Sequence, residues 1–162
     1  SHDRTELGPT PFQGGTLRLP NDTRKLFKAF NGLPSQKQEI YFNAAALYHV
    51  SLTVGRQLPS VSISYKVAAV DALIEGDRSQ QAFVEFVRKY DPAIPDEYLQ
   101  SLYGKVRSSH FHQGLFPLGE FEPLGTGPLT GPERFHRMNF LNQSGSVLLA
   151  VLINWLIDHT GK

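Results

Sequence analysis

The 162-residue chain has no cysteine, one methionine and one tryptophan. Without thiols it can form no disulfide, run no thiolate chemistry and build no cysteine–zinc site. It also lacks a charge excess: 16 Lys and Arg stand against 15 Asp and Glu, for a formal net charge of +1. A protein that coats nucleic acid by bulk charge needs many more uncompensated cations, so any contact with a nucleic acid is local. Long apolar runs are missing too. The longest, "VLLAVLINWLI" from Val147 to Ile157, is eleven residues interrupted by Asn154, against the roughly 20 that cross a bilayer. No signal peptide is visible, and the expectation is a soluble, cytoplasmic protein without a membrane partner. Alternating strand patterns and internal repeats are absent as well.

What remains is ordinary for a folded domain: 40% apolar and 19% charged residues in one chain large enough to bury a core. Ser1-His2 reads as a tag remnant, and the whole as one domain of a longer protein. Residues 1–20, rich in Gly and Pro, read as an irregular leader, and 21–162 as a single helical domain.

Helical punctuation recurs through that domain. A short helix follows "PND", with Leu26, Phe27 and Phe30 as its apolar stripe and Asn31-Gly32 as its stop. A long one begins at Ser35, carries Ile40, Ala44, Leu47, Tyr48 and Ser51 at helical spacing, and ends at Gly55. A third opens at Pro59-Ser60 with Ile63, Val67, Val70 and Ile74 as a buried stripe, and Gly76 stops it. A fourth covers about Ser79–Tyr90, with Phe83, Phe86 and Val87 inward. A fifth starts at Pro95-Asp96-Glu97, turns Tyr98, Leu102 and Val106 one way, and ends near Arg107–Phe111.

Residues 114–132 then hold five glycines and three prolines ahead of Pro132, a loop too long for a mere connection. A short helix from Pro132 carries Phe135, Met138 and Leu141, and a final one, capped by Ser144 or Ser146, runs to about His159. That last helix is apolar nearly all round, which predicts a buried centre or a dimer interface. The fold class is therefore all-α: a bundle of five to seven helices with a long Gly/Pro-rich loop.

One stretch concentrates chemistry. "LYGKVRSSHFHQG" sets Arg107, Ser108, Ser109, His110 and His112 close together. Arginine supplies a permanent planar cation that fits phosphate oxygens. Histidine takes and gives protons near neutral pH. Those two services suffice for RNA cleavage by its own 2′-hydroxyl. On a continuous α-helix, residues five apart lie about 140° around the axis, so the two side chains converge only where the helix ends or bends. A solvated helix end is the plain alternative.

These residues resemble the signature of the HEPN superfamily, an arginine followed after four to six residues by a histidine. They look most like its Apea-like branch, matched here by Tyr103, Arg107, Ser108 and His112. The branch has a glycine directly after the histidine, where this chain has Gln113 and then Gly114. "FNAAALYHVSL" and "SYKVAAVDALIEG" are similar to the two preceding helices of that branch, and Asp71 matches an acidic position in the second. The similarity spans about residues 35–157.

The resemblance implies an all-α, usually dimeric domain with two arginine–histidine pairs across one cleft. Active members are metal-independent endoribonucleases, some serving as defence or toxin effectors. Others are inactive dimerisation, nucleotide-binding or partner-binding modules. In the catalytic case His112 is the acid/base, Arg107 binds the scissile phosphate, and Ser108 orients the pair. The partners implied are RNA and a second copy, with no cofactor.

Other groups have two readings each. Asp71 is a solvated boundary carboxylate or the partner that holds Arg107 or His112. His110 is a spare imidazole at the cleft or has no role; paired with His112 it makes a poor metal site, because no third ligand is spaced nearby, so no metal is expected. Arg134, His136 and Arg137 form an exposed polar face or extend an RNA path, with Lys105 and Arg88 weaker candidates for the same path. His49 reads as a packed, hydrogen-bonded histidine, and Phe42, Tyr48, Phe83, Phe86 and Trp155 as core.

Overall fold

The computed structural model describes residues 21–55, 57–121 and 132–160, with side chains for all of these except 21 and 132–138. The expected leader, 1–20, lies outside the described residues. Helices α1 (Asn21–Asn31), α2 (Ser35–Val54), α3 (Pro59–Asp71) and α4 (Gln80–Tyr90) come first. A single helical run then passes from α5 (Asp96–Gln100) through a π-helical segment (Ser101–Ser108) into α6 (Ser109–Gln113), and α7 (Pro132–Asp158) follows. With that run counted once, the described residues form six helices and no strand, an all-α bundle.

The third helix, α3, is the hub, packed against α2, α7 and the π segment. Ile63, Val67, Ala69 and Val70 are fully buried, and Ile74 is buried just past the helix end. The buried serines of α3 are bonded rather than stranded. Ser62 Oγ donates to the Ser51 carbonyl of α2 at 2.9 Å, and Ser64 Oγ donates to Ser60 O at 2.7 Å. Small side chains with internal partners let α2 lie close to α3 without an unbonded hydroxyl between them. On the other flank Phe83, Val84 and Val87 of α4 meet Leu99, Leu102 and Val106, all buried. Ser79 caps α4, its side-chain oxygen accepting from Ala82 N at 3.2 Å.

Three expectations are corrected. The segment from Pro132 is one continuous 27-residue helix, not two. Ser144 and Ser146 do not cap a new helix. Their hydroxyls donate back to Leu141 O and Asn142 O at 2.8 and 3.2 Å, which occupies them within the turn they sit on. The same helix is not buried all round. Val147, Leu148, Val151, Leu152, Trp155 and Leu156 face inward, whereas Leu149 and Ile157 are exposed. Its stretch Asn139–Asp158 is 20 residues long and, by length and composition, apolar enough to cross a membrane; here its inner face is core.

Phe42 and His49 are exposed rather than packed, and so is Phe27 of α1. Helix α2 is an outer helix with apolar residues on every side, so spacing alone does not reveal which face meets α3. Phe42 and His49, seven apart, share the uncovered one.

Candidate functional site

The π segment gives the site its shape. A π-helix bonds each N–H five residues back, so it is wider than an α-helix. Here it runs from Ser101 through Ser108 and returns to α geometry at Ser109. Gly104 sits inside it where α4 begins. The Gln80 side-chain oxygen stands 3.2 Å from where a β-carbon on Gly104 would lie, so the missing side chain makes room for that approach. The helix therefore neither ends nor breaks between Arg107 and His112; its winding changes there. It stops at Gly114, whose φ of 66° and ψ of 21° are left-handed.

Arg107 points inward from this segment. Its Nη2 donates to Asp71 Oδ2 at 3.1 Å. The Asp71 side chain is 6% accessible and that of Arg107 is 21%, so the carboxylate forms the floor and the guanidinium reaches toward the surface. Of the two roles open to Asp71, that of partner to Arg107 is the one observed. The guanidinium carbon lies 4.8 Å from the Tyr103 ring centroid and 6.0 Å from that of Phe111, within the range of cation–π attraction. Tyr103 is itself fixed. Its ring packs on Phe83 at 5.2 Å, and its hydroxyl donates to the Arg78 carbonyl in the turn before α4.

Two buried atoms of the ion pair, Asp71 Oδ1 and Arg107 Nε, have no hydrogen-bond partner among the described residues. Burial pushes the Asp71 carboxyl above the ordinary carboxylate value; the charges of Arg107 and then Arg78 oppose the rise without cancelling it. Burial likewise raises the Tyr103 phenol, and the nearby Asp71 charge adds to that rise.

The histidines divide. His110 is half-buried, with Nδ1 at 3.1 Å from Leu115 O and its ring against Phe116 at 5.1 Å. A carbonyl only accepts, so Nδ1 carries the proton in this contact. His110 thus ties the helix end to the following loop. His112 is exposed, and no residue among those described is bonded, paired or stacked with it. No hydrogen bond joins Arg107 and His112; the one side-chain bond of Arg107 among the described residues goes to Asp71. Ser108 is half-buried, and its hydroxyl bonds to no described residue. Lys105 is exposed, and Arg88 is held in an exposed ion pair with Asp96 at 3.2 Å. The side chains of Arg134, His136 and Arg137 lie outside the described residues.

Beyond Gly114 the loop is anchored as far as Phe121, and 122–131 lie outside the described residues. The Glu120 carboxylate accepts from the Ser60 backbone N–H and, at 2.8 Å, from Ser60 Oγ; Leu118 N donates to Ser60 Oγ at 3.0 Å. A negative charge at the start of α3 is favoured by the helix dipole. Phe111 adds a second tie, edge-on to Tyr65 of α3 at 5.6 Å. These contacts, and the bond from the Tyr103 hydroxyl to the Arg78 carbonyl, escape sequence reasoning. Glu120 and Ser60 are 60 positions apart, and no spacing rule links a loop glutamate to a particular helix start.

Among the described residues no group of three or more His, Cys, Asp or Glu is placed to hold a metal ion. An apolar groove of about 410 Å³, lined by Leu26, Phe27, Phe30, Phe42 and Leu156 among others, is built from α1, α2 and α7 and shares no residue with the Arg107 site. The chain matches no family model, no curated protein sequence and no solved structure.

Proposed function

We propose that this chain is a HEPN-type, metal-independent endoribonuclease domain that acts as a dimer on RNA, in the manner of a defence or toxin effector. The observation that carries the reading is the Asp71–Arg107 pair. A carboxylate held 94% out of solvent aims a partly accessible guanidinium, backed by the Tyr103 ring, one turn ahead of an exposed imidazole. Arginine so positioned meets a phosphate with little reorganisation and stabilises charge that builds on its oxygens. His112, open to solvent, exchanges protons with bulk water and serves as the acid/base once substrate lies between the two groups. In a dimer the second copy supplies the opposite wall of the cleft.

The test is mixed RNA incubated with the protein in excess EDTA, beside Arg107→Ala and His112→Ala proteins. Cleavage by the parent protein that persists in the chelator and drops at least 100-fold in each variant is the expected result. Intact RNA in every tube overturns the enzyme reading.

One observation favours a second reading, a non-catalytic HEPN-like module for dimerisation, nucleotide or partner binding. Arg107 already spends one guanidinium nitrogen on Asp71, and no hydrogen bond joins it to His112. On that reading the pair is a structural ion pair, and both alanine variants alter stability alone.

A further inference from the structure

Resting on the RNA reading of the Arg107 site, we infer that Phe111 and Phe121 form a stacking platform for unpaired nucleobases beside it, so that the RNA taken is single-stranded. Four rings are joined in a row at the end of the motif helix. The Phe111 centroid lies 6.0 Å from the Arg107 guanidinium carbon and 5.4 Å from the His110 ring. His110 in turn meets Phe116 at 5.1 Å, and Phe116 meets Phe121 at 4.6 Å. The row starts at the cation and continues into the loop that follows Gly114.

Its two ends are open. Phe111 is 43% exposed and Phe121 is 69% exposed. None of the contacts in the row is a parallel stack: the interplanar angles are 58°, 71° and 86°, and Phe111 meets Tyr65 at 73°. Tilted and edge-on contacts fix rings in place without laying a parallel ring over a face. Elsewhere the fold does stack rings flat, as in Tyr41 and Trp155 at 12°, where the indole is buried. The row is also braced from outside: His110 Nδ1 donates to Leu115 O, and Glu120, the chain neighbour of Phe121, accepts from Ser60. Rings already held lose little freedom when a partner covers them.

Exposed rings beside a guanidinium, with an exposed imidazole one position after Phe111, match the two halves of a nucleotide. The flat base meets the rings and its phosphate meets the arginine. Stacking draws on ring surface rather than on charge, so it needs no excess of cations in a chain whose net charge is +1. A duplex is excluded because its base faces are covered within the helix; only unpaired bases can be splayed onto Phe111 and Phe121.

The experiment measures binding rather than cleavage. Fluorescence anisotropy uses labelled, 2′-O-methylated oligonucleotides, which have no free 2′-hydroxyl to attack: a single strand, its duplex, and a strand of equal length with abasic positions in its middle. The proteins are the parent, Phe111→Leu, Phe121→Leu, Phe111→Trp, and Phe42→Leu as the control for loss of an exposed ring elsewhere. The parent is expected to bind the base-bearing single strand about tenfold more tightly than the duplex or the abasic strand. Each of Phe111→Leu and Phe121→Leu loses about tenfold on the base-bearing strand and under about twofold on the abasic one. Phe111→Trp keeps the parental affinity, because an indole also stacks on bases, and Phe42→Leu leaves it unchanged. Phe121 has Phe116 as its one ring contact among the described residues, so its variant tests the platform even where Phe111→Leu loosens the tie to Tyr65. Circular dichroism checks that each variant keeps the fold.

A parent protein that binds no probe, or binds the abasic strand as tightly as the base-bearing one, overturns the inference. So do leucine variants whose binding is unchanged while sedimentation shows a dissociated dimer, which makes the rings a contact between copies. The two proposals fail separately. Base-dependent binding lost in both leucine variants, without any RNA cleavage by the parent, leaves the platform standing and removes the nuclease. Chelator-resistant cleavage with unchanged binding in both leucine variants does the reverse.

Discussion

Arg107 and Asp71 satisfy each other only by half: Nη2 donates to Oδ2 at 3.1 Å, while Nε and Oδ1, both buried, bond to no described residue. A pair of this kind is costly to break and cheap to replace. Removing one member strands the other charge, whereas removing both returns a packed apolar contact.

That asymmetry gives the first prediction. Asp71→Ala lowers stability by about 2–3 kcal/mol, below the range for fully buried pairs because Arg107 is partly solvated. The double variant Asp71→Leu/Arg107→Met stays within about 1 kcal/mol of the parent. Urea unfolding of the parent, the two single variants and the double variant measures both. A double variant worse than Asp71→Ala would show that the pair is a net stabiliser.

The same carboxylate sets a pH dependence. Its native pKa is raised, with burial as the largest cause, against an ordinary value of 3.8. An acid with a raised native pKa binds its proton more readily in the folded state. Its contribution to stability is therefore complete below 3.8 and is lost as pH climbs through the raised native value. In paired urea titrations the parent protein should lose stability relative to Asp71→Asn over that interval. A relative gain instead would mean that Arg107 outweighs burial.

Glu120→Gln keeps the shape of the loop clasp and removes its charge. The expected cost is about 0.5–1 kcal/mol, the usual worth of an acid at a helix start. Hydrogen exchange should quicken at Leu118, whose N–H is bonded to Ser60 Oγ, and leave α4 unchanged. Unaltered protection at Leu118 would show that the loop is held by its aromatic contacts alone.

Phe83 and Phe42 should behave as opposites despite equal size. Phe83 is fully buried and Phe42 is 66% exposed. Phe83→Ala is expected to cost about 3–5 kcal/mol, and Phe42→Ser to stay within about 0.5 kcal/mol. Thermal melts of both variants decide it.

Much of this architecture is legible in the chain. The α3 stripe and the Pro95 start follow from local rules, because one turn of helix contains both cause and effect, whereas the fifth helix runs on to Gln113, past the end expected near Arg107–Phe111. Asp71 as partner of Arg107 was also within reach, through its place at the margin of a buried stripe. What escapes is set by distance or ambiguity. Helices α2 and α7 are apolar all round, so periodicity cannot say which side faces solvent, and Phe42 and His49 were placed on the wrong one. Serine serves both as a cap and as a back-bonding residue inside a helix, which is why a boundary was expected near Ser144. The Arg78 carbonyl and Glu120 are brought to the site by chain reversals that no local pattern records.

The wide turns between Ser101 and Ser108 make residue count itself a determinant of the motif. Excising one position there would let the backbone tighten to ordinary winding and turn the imidazole-bearing end about 100° relative to Arg107. Such a deletion would preserve every named side chain and still dismantle the arrangement. Homologues of this chain can accordingly differ in spacing by a single residue only if they also differ in how this helix is wound.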